Sequence, residues 1–345
     1  MIRDYEPGDE KGIQILFKEV FKKDRSIKEW YWKYTRNPYK KPIIKIWDED
    51  EIAGHVSLVP FAAKWFKEEV TFGARLDTMV SQKHRGKKIY PKLNERLFKQ
   101  APEEGFDFLF GFPAELAKKL LIRDSGAKVI GAIPRLLHVN KFSSLLLSKF
   151  PMLRPISPII RLIDGIRKPA RIGNQNGEFK KIDVCGLEFN ELWEKVKGDY
   201  PILLKRDAAF LNWRYHERPD FSYTMYGYYR NDSLIGYVVV NEQSKPFSKG
   251  TITVGVIVDI LGINEQDVWH LLIKKGKDVL SNSDIINTWA LKHTVLYKEL
   301  KKASFVHKDE PMSLVGKSVS ASIPNKDEGF NINNWFITPG DVDSF

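Results

Sequence analysis

The feature that most restricts the fold is an order of elements that occurs twice. In the first half a hairpin (strands at 43–47 and 52–60, turn at Asp48 to Asp50) precedes strands at 69–72 and 75–80. A helix with apolar positions Ile89, Leu93 and Leu97 follows, then a strand at 106–110, a helix from about Ala114 that stops at Gly126, and one or two strands over 129–139. The second half has a helical, aromatic segment at 207–215, a hairpin (223–229 and 234–240), a long strand at 251–261 and a helix ending at Leu280. A strand at 284–290, a helix at 294–303 and short strands ending at 335–338 complete it. A repeat of about 150 residues is too long for a solenoid period and reads as two copies of one unit. The expected class is mixed α/β, each copy a central, mostly antiparallel sheet flanked by helices. The 345 residues suit about two domains of ~150 residues each.

Between the halves the texture changes. Residues 141–177 hold Pro151, Pro155, Pro158 and Pro169 and end in Gly173-Asn174-Gln175-Asn176-Gly177, so they read as a connector. The expected organisation is 1–140, connector 141–177, and 178–345. In the connector Ile159, Leu162, Ile163 and Ile166 share a helical face, suited either to packing between domains or to lying on an anionic membrane. Residues 140–181 carry nine basic and two acidic side chains, a large part of the net charge of +11. Such an excess suits an anionic partner and says nothing about fold.

Composition narrows the classes further. With 43% apolar and 29% charged residues, extensive disorder is excluded. A single cysteine, Cys185, excludes an intrachain disulfide and multi-cysteine zinc sites, and it reads as a buried small hydrophobe. No RNP, KH or zinc-finger pattern appears, so no nucleic-acid partner is expected. The seven histidines show no metal spacing. The start MIRDYEPGDE lacks the basic and apolar runs of a signal peptide, and no apolar run nears the ~20 residues of a membrane span, so a cytoplasmic protein is expected.

The densest chemistry lies where a strand enters a basic turn: Asp77-Thr78-Met79-Val80-Ser81-Gln82-Lys83-His84-Arg85-Gly86-Lys87-Lys88-Ile89. Unpaired N–H groups at such a turn form a nest for an anion, and Gly86 permits close approach. Either this is a pyrophosphate site, or it is a solvated basic turn. The stretch resembles the acetyl-coenzyme A loop of the GNAT acetyltransferase superfamily: Arg85-Gly86 fits, Lys83 stands at the usual first position, and Lys88 replaces a customary second glycine. Ile2 to Asp9, the aromatic Trp30-Tyr31-Trp32-Lys33-Tyr34 with Asn37-Pro38, and Gly111-Phe112-Pro113 with Ser125-Gly126-Ala127 resemble a bacterial and archaeal subgroup of that family. Trp213-Arg214-Tyr215 and the final segment resemble the second domain of tandem members, but no basic loop follows the long strand there.

The resemblance implies two GNAT-like domains, the second degenerate. It implies an N-acetyltransferase that moves an acetyl group from acetyl-coenzyme A, held by Met79, Val80, Lys83, His84, Arg85, Gly86, Lys87, Lys88 and Ile89, to the amine of a small molecule or peptide. The family's base is a strand carboxylate, here Asp77, which serves either as base or as an anchor for the neighbouring loop. The family's tyrosine acid is absent, Ile122 standing at its position; Tyr90 offers a hydroxyl nearby in sequence. His55 is expected to be structural or to line the acceptor cleft. Two other readings stay open: a tandem-fold binding protein whose catalysis has decayed, and an aminoacyl transferase of the peptidoglycan-bridge type.

Overall fold

The β-branched and aromatic runs form strands, and the computed structural model describes residues 1–150, 152–153, 177–248 and 250–345. The first half contains β1 (Ile2–Asp4), β2 (Ile43–Glu49), β3 (Glu51–Trp65), β4 (Glu68–Val80), β5 (Phe108–Gly111) and β6 (Lys128–Val139). The second contains β7 (Glu178–Ile182), β8 (Ile202–Leu204), β9 (Thr224–Arg230), β10 (Ser233–Phe247), β11 (Gly250–Gly262), β12 (Ile285–Trp289) and β13 (Val306–Ser318). The helices are α1 (Glu10–Phe21), α2 (Ile27–Thr35), α3 (Ile89–Glu103), α4 (Glu115–Ser125), α5 (Phe142–Lys149), α6 (Leu187–Val196), α7 (Ala208–Leu211), α8 (Gln266–Val279) and α9 (Val295–Lys302).

The described strands form one mixed sheet in the order β1-β2-β3-β4-β5-β13-β6-β12-β11-β10-β9-β7, with β8 paired to β3 off this path. Counted inward from either edge, equivalent elements meet in the same order, so a pseudo-twofold axis lies between β13 and β6. Each half delivers its last strand to the other: β13 pairs with β5, and β6 pairs with β12. Pairing along the sheet is antiparallel except at β4–β5 and β11–β12. Helices cover the sheet as expected for a mixed α/β class. α3 buries Ile89, Leu93 and Leu97 against Ile43, Val56 and Leu58, while α1 packs on β3 and β4.

Local expectations and structure differ at identifiable points. The strands read at 69–72 and 75–80 are one strand, β4, because Gly73 and Ala74 pair with Pro60 and Val59 without interruption. Asp9 stands at the N-cap of α1, but its carboxylate accepts from Arg3 and from the Glu6 N–H rather than from the helix. Residues 335–338 are not a strand; Trp335 makes one isolated bridge to Ile202. β7, α6 and β8 lie in a stretch for which the sequence suggested no element. In the connector, Leu145 of α5 packs on the core while Phe142 and Phe150 stay exposed. Ile159, Leu162, Ile163 and Ile166 lie outside the described residues. The tyrosines of β9 serve packing: buried Tyr228 stacks on Phe179 at 4.8 Å. Among the described residues no helix is long and apolar enough to cross a membrane.

The halves also lock together through their aromatic helices. Trp32 of α2 and Trp213, in the turn that extends α7, stack at 4.8 Å and 15°. Each indole N–H donates to the other residue's carbonyl, at 2.6 and 3.0 Å. Both side chains are almost fully buried. Trp213→Ala removes the stack and leaves the Trp32 carbonyl without its donor. The expected loss is about 3–5 kcal/mol, read as a lower urea midpoint with unchanged slope.

Candidate active site

The sheet opens at its first parallel step. β4 pairs with β5 only through Phe72, Gly73 and Ala74; past Ala74 that edge of β4 has no strand beside it. A cavity of about 590 Å³ occupies the gap. Its lining comes from both faces of the sheet: Tyr90 and Phe98 of α3 and Leu121 of α4 on one side, Phe17, Glu29 and Lys33 on the other. A ligand can therefore be reached from both faces at one point.

A bulge sets the chemistry of the gap. Register shifts between His55 and Ser57, and Asp77 takes a left-handed backbone with φ of 46°. Such a bulge re-aims a side chain. Arg75 faces Asn94 of α3, whereas Asp77 faces α2. There Asp77 accepts from Arg25, from the Tyr34 hydroxyl at 2.6 Å and from Lys33 at 3.4 Å. Burial alone would raise its pKa, but Lys33, Arg25 and the Tyr34 bond hold it well below the usual carboxylate range. Burial pushes the Tyr34 phenol up. Lys33 loses by burial and gains more from Asp77 and from Asp343, which lies 2.9 Å away. A carboxylate bonded in this way is anchored rather than free to take a proton.

The second half repeats the anchor. β11 leaves β12 after Val256, and Asp259 follows three residues later, as Asp77 follows Ala74. Asp259 accepts from Arg206 at 3.2 Å, from Tyr215 at 3.1 Å and from Tyr237 at 3.0 Å. Arg25 and Arg206, like Tyr34 and Tyr215, stand at matching points just before or within matching helical segments. Here, however, the gap is filled. Thr338 donates to Asp259 at 2.9 Å, Asp341 binds Arg206 at 2.8 Å, and a Cβ on Gly340 would meet the Tyr215 hydroxyl at 2.2 Å.

The loop after β4 has the features of an anion nest. The N–H groups of Gly86, Lys87, Lys88, Ile89 and Tyr90 find no acceptor among the described residues. Gly86 has φ of 86°, and a Cβ added there would meet nothing within 4 Å. Lys88 takes the left-handed backbone, φ 57°, that a second glycine would adopt, at a cost of about 1–2 kcal/mol. Glu19 fixes the entry by accepting from the Gln82 N–H at 2.7 Å. Lys87 and His84 lie 3.3 and 3.5 Å from Glu49, and Lys83 lies 3.7 Å from Glu51. Arg85 and Lys88 have no carboxylate partner among the described residues.

Of the residues singled out in sequence, Asp77 lines the cavity, and Lys83 to Lys88 form the loop that leads through buried Ile89 to Tyr90 on the cavity wall. Met79 is 1% exposed, so only its main chain is available; Val80 packs beside α3. Ile122 is exposed on α4 and does not line the gap. Cys185 is buried, its thiol pushed up to about 12 by burial. Sequence reasoning missed Arg25, Arg75 and the partnership of Lys33 and Tyr34 with Asp77. A signal existed: Trp32-Lys33-Tyr34 and Trp213-Arg214-Tyr215 share one pattern, and Arg75 is the one cation in the strand before the loop.

His55 is structural, beneath the bulge. It is fully buried, with Nδ1 2.7 Å from the Asp77 carbonyl, to which it donates as the neutral ring. Burial lowers its pKa from 6.5 to about 4. In this window the unfolded chain binds a proton that the native state refuses, so stability falls as pH drops from 6.5 towards 4. The integrated effect is on the order of 3 kcal/mol. The depressed Asp77 adds its own loss only below its ordinary value of 3.8. His55→Gln is expected to flatten the stability slope between pH 4 and 6.5, measured by urea unfolding across pH.

Comparison with known proteins agrees with this geometry. Residues 1–118 match the family model described as an acetyltransferase (GNAT) domain. No curated protein matches the chain. Among solved structures, a GCN5-related N-acetyltransferase from Anabaena variabilis is similar over 93% of this chain and 73% of its own, at 12% identity and a TM-score of 0.68. A probable N-acyltransferase from Enterococcus faecalis aligns over 93% and 72%, at 11% identity and 0.63. The N-myristoyltransferase of Saccharomyces cerevisiae, solved with myristoyl-CoA bound, aligns over 92% and 81%, at 12% identity and 0.59. At these identities the likeness is one of fold, and the fold of this chain is that of GNAT-like acyltransferases.

Proposed function

We propose that this protein is an N-acyltransferase that moves an acetyl group from acetyl-coenzyme A to an amine. The observation that carries the reading is the gap between β4 and β5, open to both faces, with an anion nest at the end of the same strand. The pyrophosphate is assigned to the N–H groups from Gly86 to Tyr90 with Lys83, His84, Arg85, Lys87 and Lys88, and the pantetheine to the free main-chain edge of Met79 and Val80. The open space over Gly86 fits that assignment. The thioester supplies the activated acyl carbon. Transfer forms a C–N bond and breaks the C–S bond; the amine loses a proton, and the thiolate gains one.

The acceptor side lies towards α1 and α2. Asp24, Glu29 and Asp343 line it, each within ion-pair distance of a cation, Lys18, Arg218 and Lys33 respectively. Asp77, through Arg25, Lys33 and Tyr34, holds the bulge that keeps the gap open. On this reading residues 1–140 together with β13 carry the site, and 178–345 form the degenerate copy with a filled gap. A binding protein without turnover is the second reading, favoured by the absence of a hydroxyl on the residues of α4 that line the gap, Ala117 and Leu121.

Calorimetric titration with acetyl-coenzyme A, followed by thiol release across a panel of amines, tests the proposal; binding without thiol release selects the second reading. Gly86→Val places a side chain in the phosphate's approach and at a strained φ, and is expected to weaken binding at least about tenfold. Equal affinity removes the loop from the site. Asp77→Asn breaks the buried cluster and is expected to cost about 3 kcal/mol of stability while the shape of the pH–rate profile persists. Loss of the profile's acidic limb in that variant would make Asp77 the base.

A further inference from the structure

On and behind the α3 wall of the cavity, donors outnumber acceptors among the described residues. Arg75 Nη2 donates to Asn94 Oδ1 at 2.8 Å, and the guanidinium carbon lies 5.4 Å from the centre of the Phe98 ring. No carboxylate lies within ion-pair distance of Arg75 among the described residues. Arg75 Nε, Asn94 Nδ2 and the Tyr90 hydroxyl are buried without a well-aligned hydrogen bond, the hydroxyl lying beside the guanidinium. Asn94 is 2% exposed, and because its Oδ1 is taken by Arg75, the free atom is the amide donor. Lys317, whose ammonium lies 5.8 Å from the centre of the same Phe98 ring, adds a second positive charge. The acids of the cavity, Asp24, Glu29, Asp77 and Asp343, are all associated with the opposite wall.

Clustered donors around a half-buried cation call for a group that only accepts and that carries negative charge. A water molecule supplies acceptors but no charge. The pyrophosphate is too far along the strand: from Arg75 to the end of β4 at Val80 is about 16 Å at ~3.3 Å per residue, and the loop begins beyond it. Arg75 stands instead at the depth of the Asp77 bulge, beside the gap.

We propose that Arg75 and Tyr90, which line the cavity, form a carboxylate-binding subsite for the far end of the acyl group, with Asn94 holding the guanidinium from behind, so that the preferred donor is a thioester of a dicarboxylic acid. The acyl tail lies on the α3 wall, away from the side where the amine enters. This rests on the coenzyme A reading above and changes the expected donor from acetyl to an acid-terminated acyl group.

The test is calorimetric titration of the full chain with succinyl-CoA and with butyryl-CoA, which replaces the terminal carboxylate by a methyl. The parent is expected to bind succinyl-CoA at least about tenfold more tightly. Arg75→Met is expected to bring the ratio near one, and Tyr90→Phe, which removes one donor and little volume, to lower it several-fold. Without ligand, Arg75→Met is expected to melt no lower than the parent, since a half-buried cation without a carboxylate partner is gone. Equal binding of both esters by the parent overturns the subsite and leaves the coenzyme A reading intact. Equal weakening of both esters in Arg75→Met also overturns it, because Arg75 then holds a part common to both. A lower melting temperature with the preference retained shows a structural Arg75 and overturns it as well. Binding of neither ester removes the coenzyme A reading and the subsite with it.

Discussion

Three residues of parallel pairing hold β4 to β5, and the site follows from where that pairing stops. Beyond Ala74 the free edge of β4 diverges from β5, which turns instead to β13. A diverging edge leaves main-chain groups unpaired at the gap, and such groups need partners. The Asp77 bulge adds the second constraint. It sends Asp77 to one face and leaves Arg75 on the other, so the two walls of the gap have opposite electrostatic character. One wall has its charges paired across α2 and the segment ending in Asp343; the other keeps a guanidinium with no carboxylate partner among the described residues.

The second half shows which of these features belong to the fold. Asp259, Arg206 and Tyr215 repeat the anchor at the same register, yet Thr338 to Asp341 occupy the space beside them. An ion cluster that persists where no ligand can enter stabilises the bulge. Its recurrence is the strongest physical reason to read Asp77 as an anchor. What distinguishes the first half is what surrounds that anchor: an open gap, the nest at Gly86 and the unmatched donors near Arg75.

The exchange of β6 and β13 makes the two halves interdependent. β13 walls the cavity of the first half through Val315, Gly316 and Lys317, and residues near Asp343 close its acceptor side. The open site is thus assembled from both halves, even though its loop and its bulge lie within the first 90 residues. Stacking of Trp32 on Trp213 at the junction ties α2, which carries Lys33 and Tyr34, to its counterpart.

The sequence alone determined the elements and the loop. The hairpins, the basic turn and helix α3 are encoded by a few consecutive residues each: turn pairs such as Asn231-Asp232, apolar spacing at Ile89, Leu93 and Leu97, a glycine at 86. It also marked Asp77, as the one acid in the segment 75–80 before the loop. The tertiary structure decided what those residues meet. That β13 separates β5 from β6, that Arg25 finds Asp77 across 52 positions, and that one gap is open while its twin is filled all depend on long-range pairing. Even Gly73 and Ala74, which looked like a break between two strands, proved continuous once β3 lay beside them. Local propensity acts within a turn or a strand, whereas the balance of a buried charge depends on which distant groups reach it, and that is fixed only when the sheet closes around it.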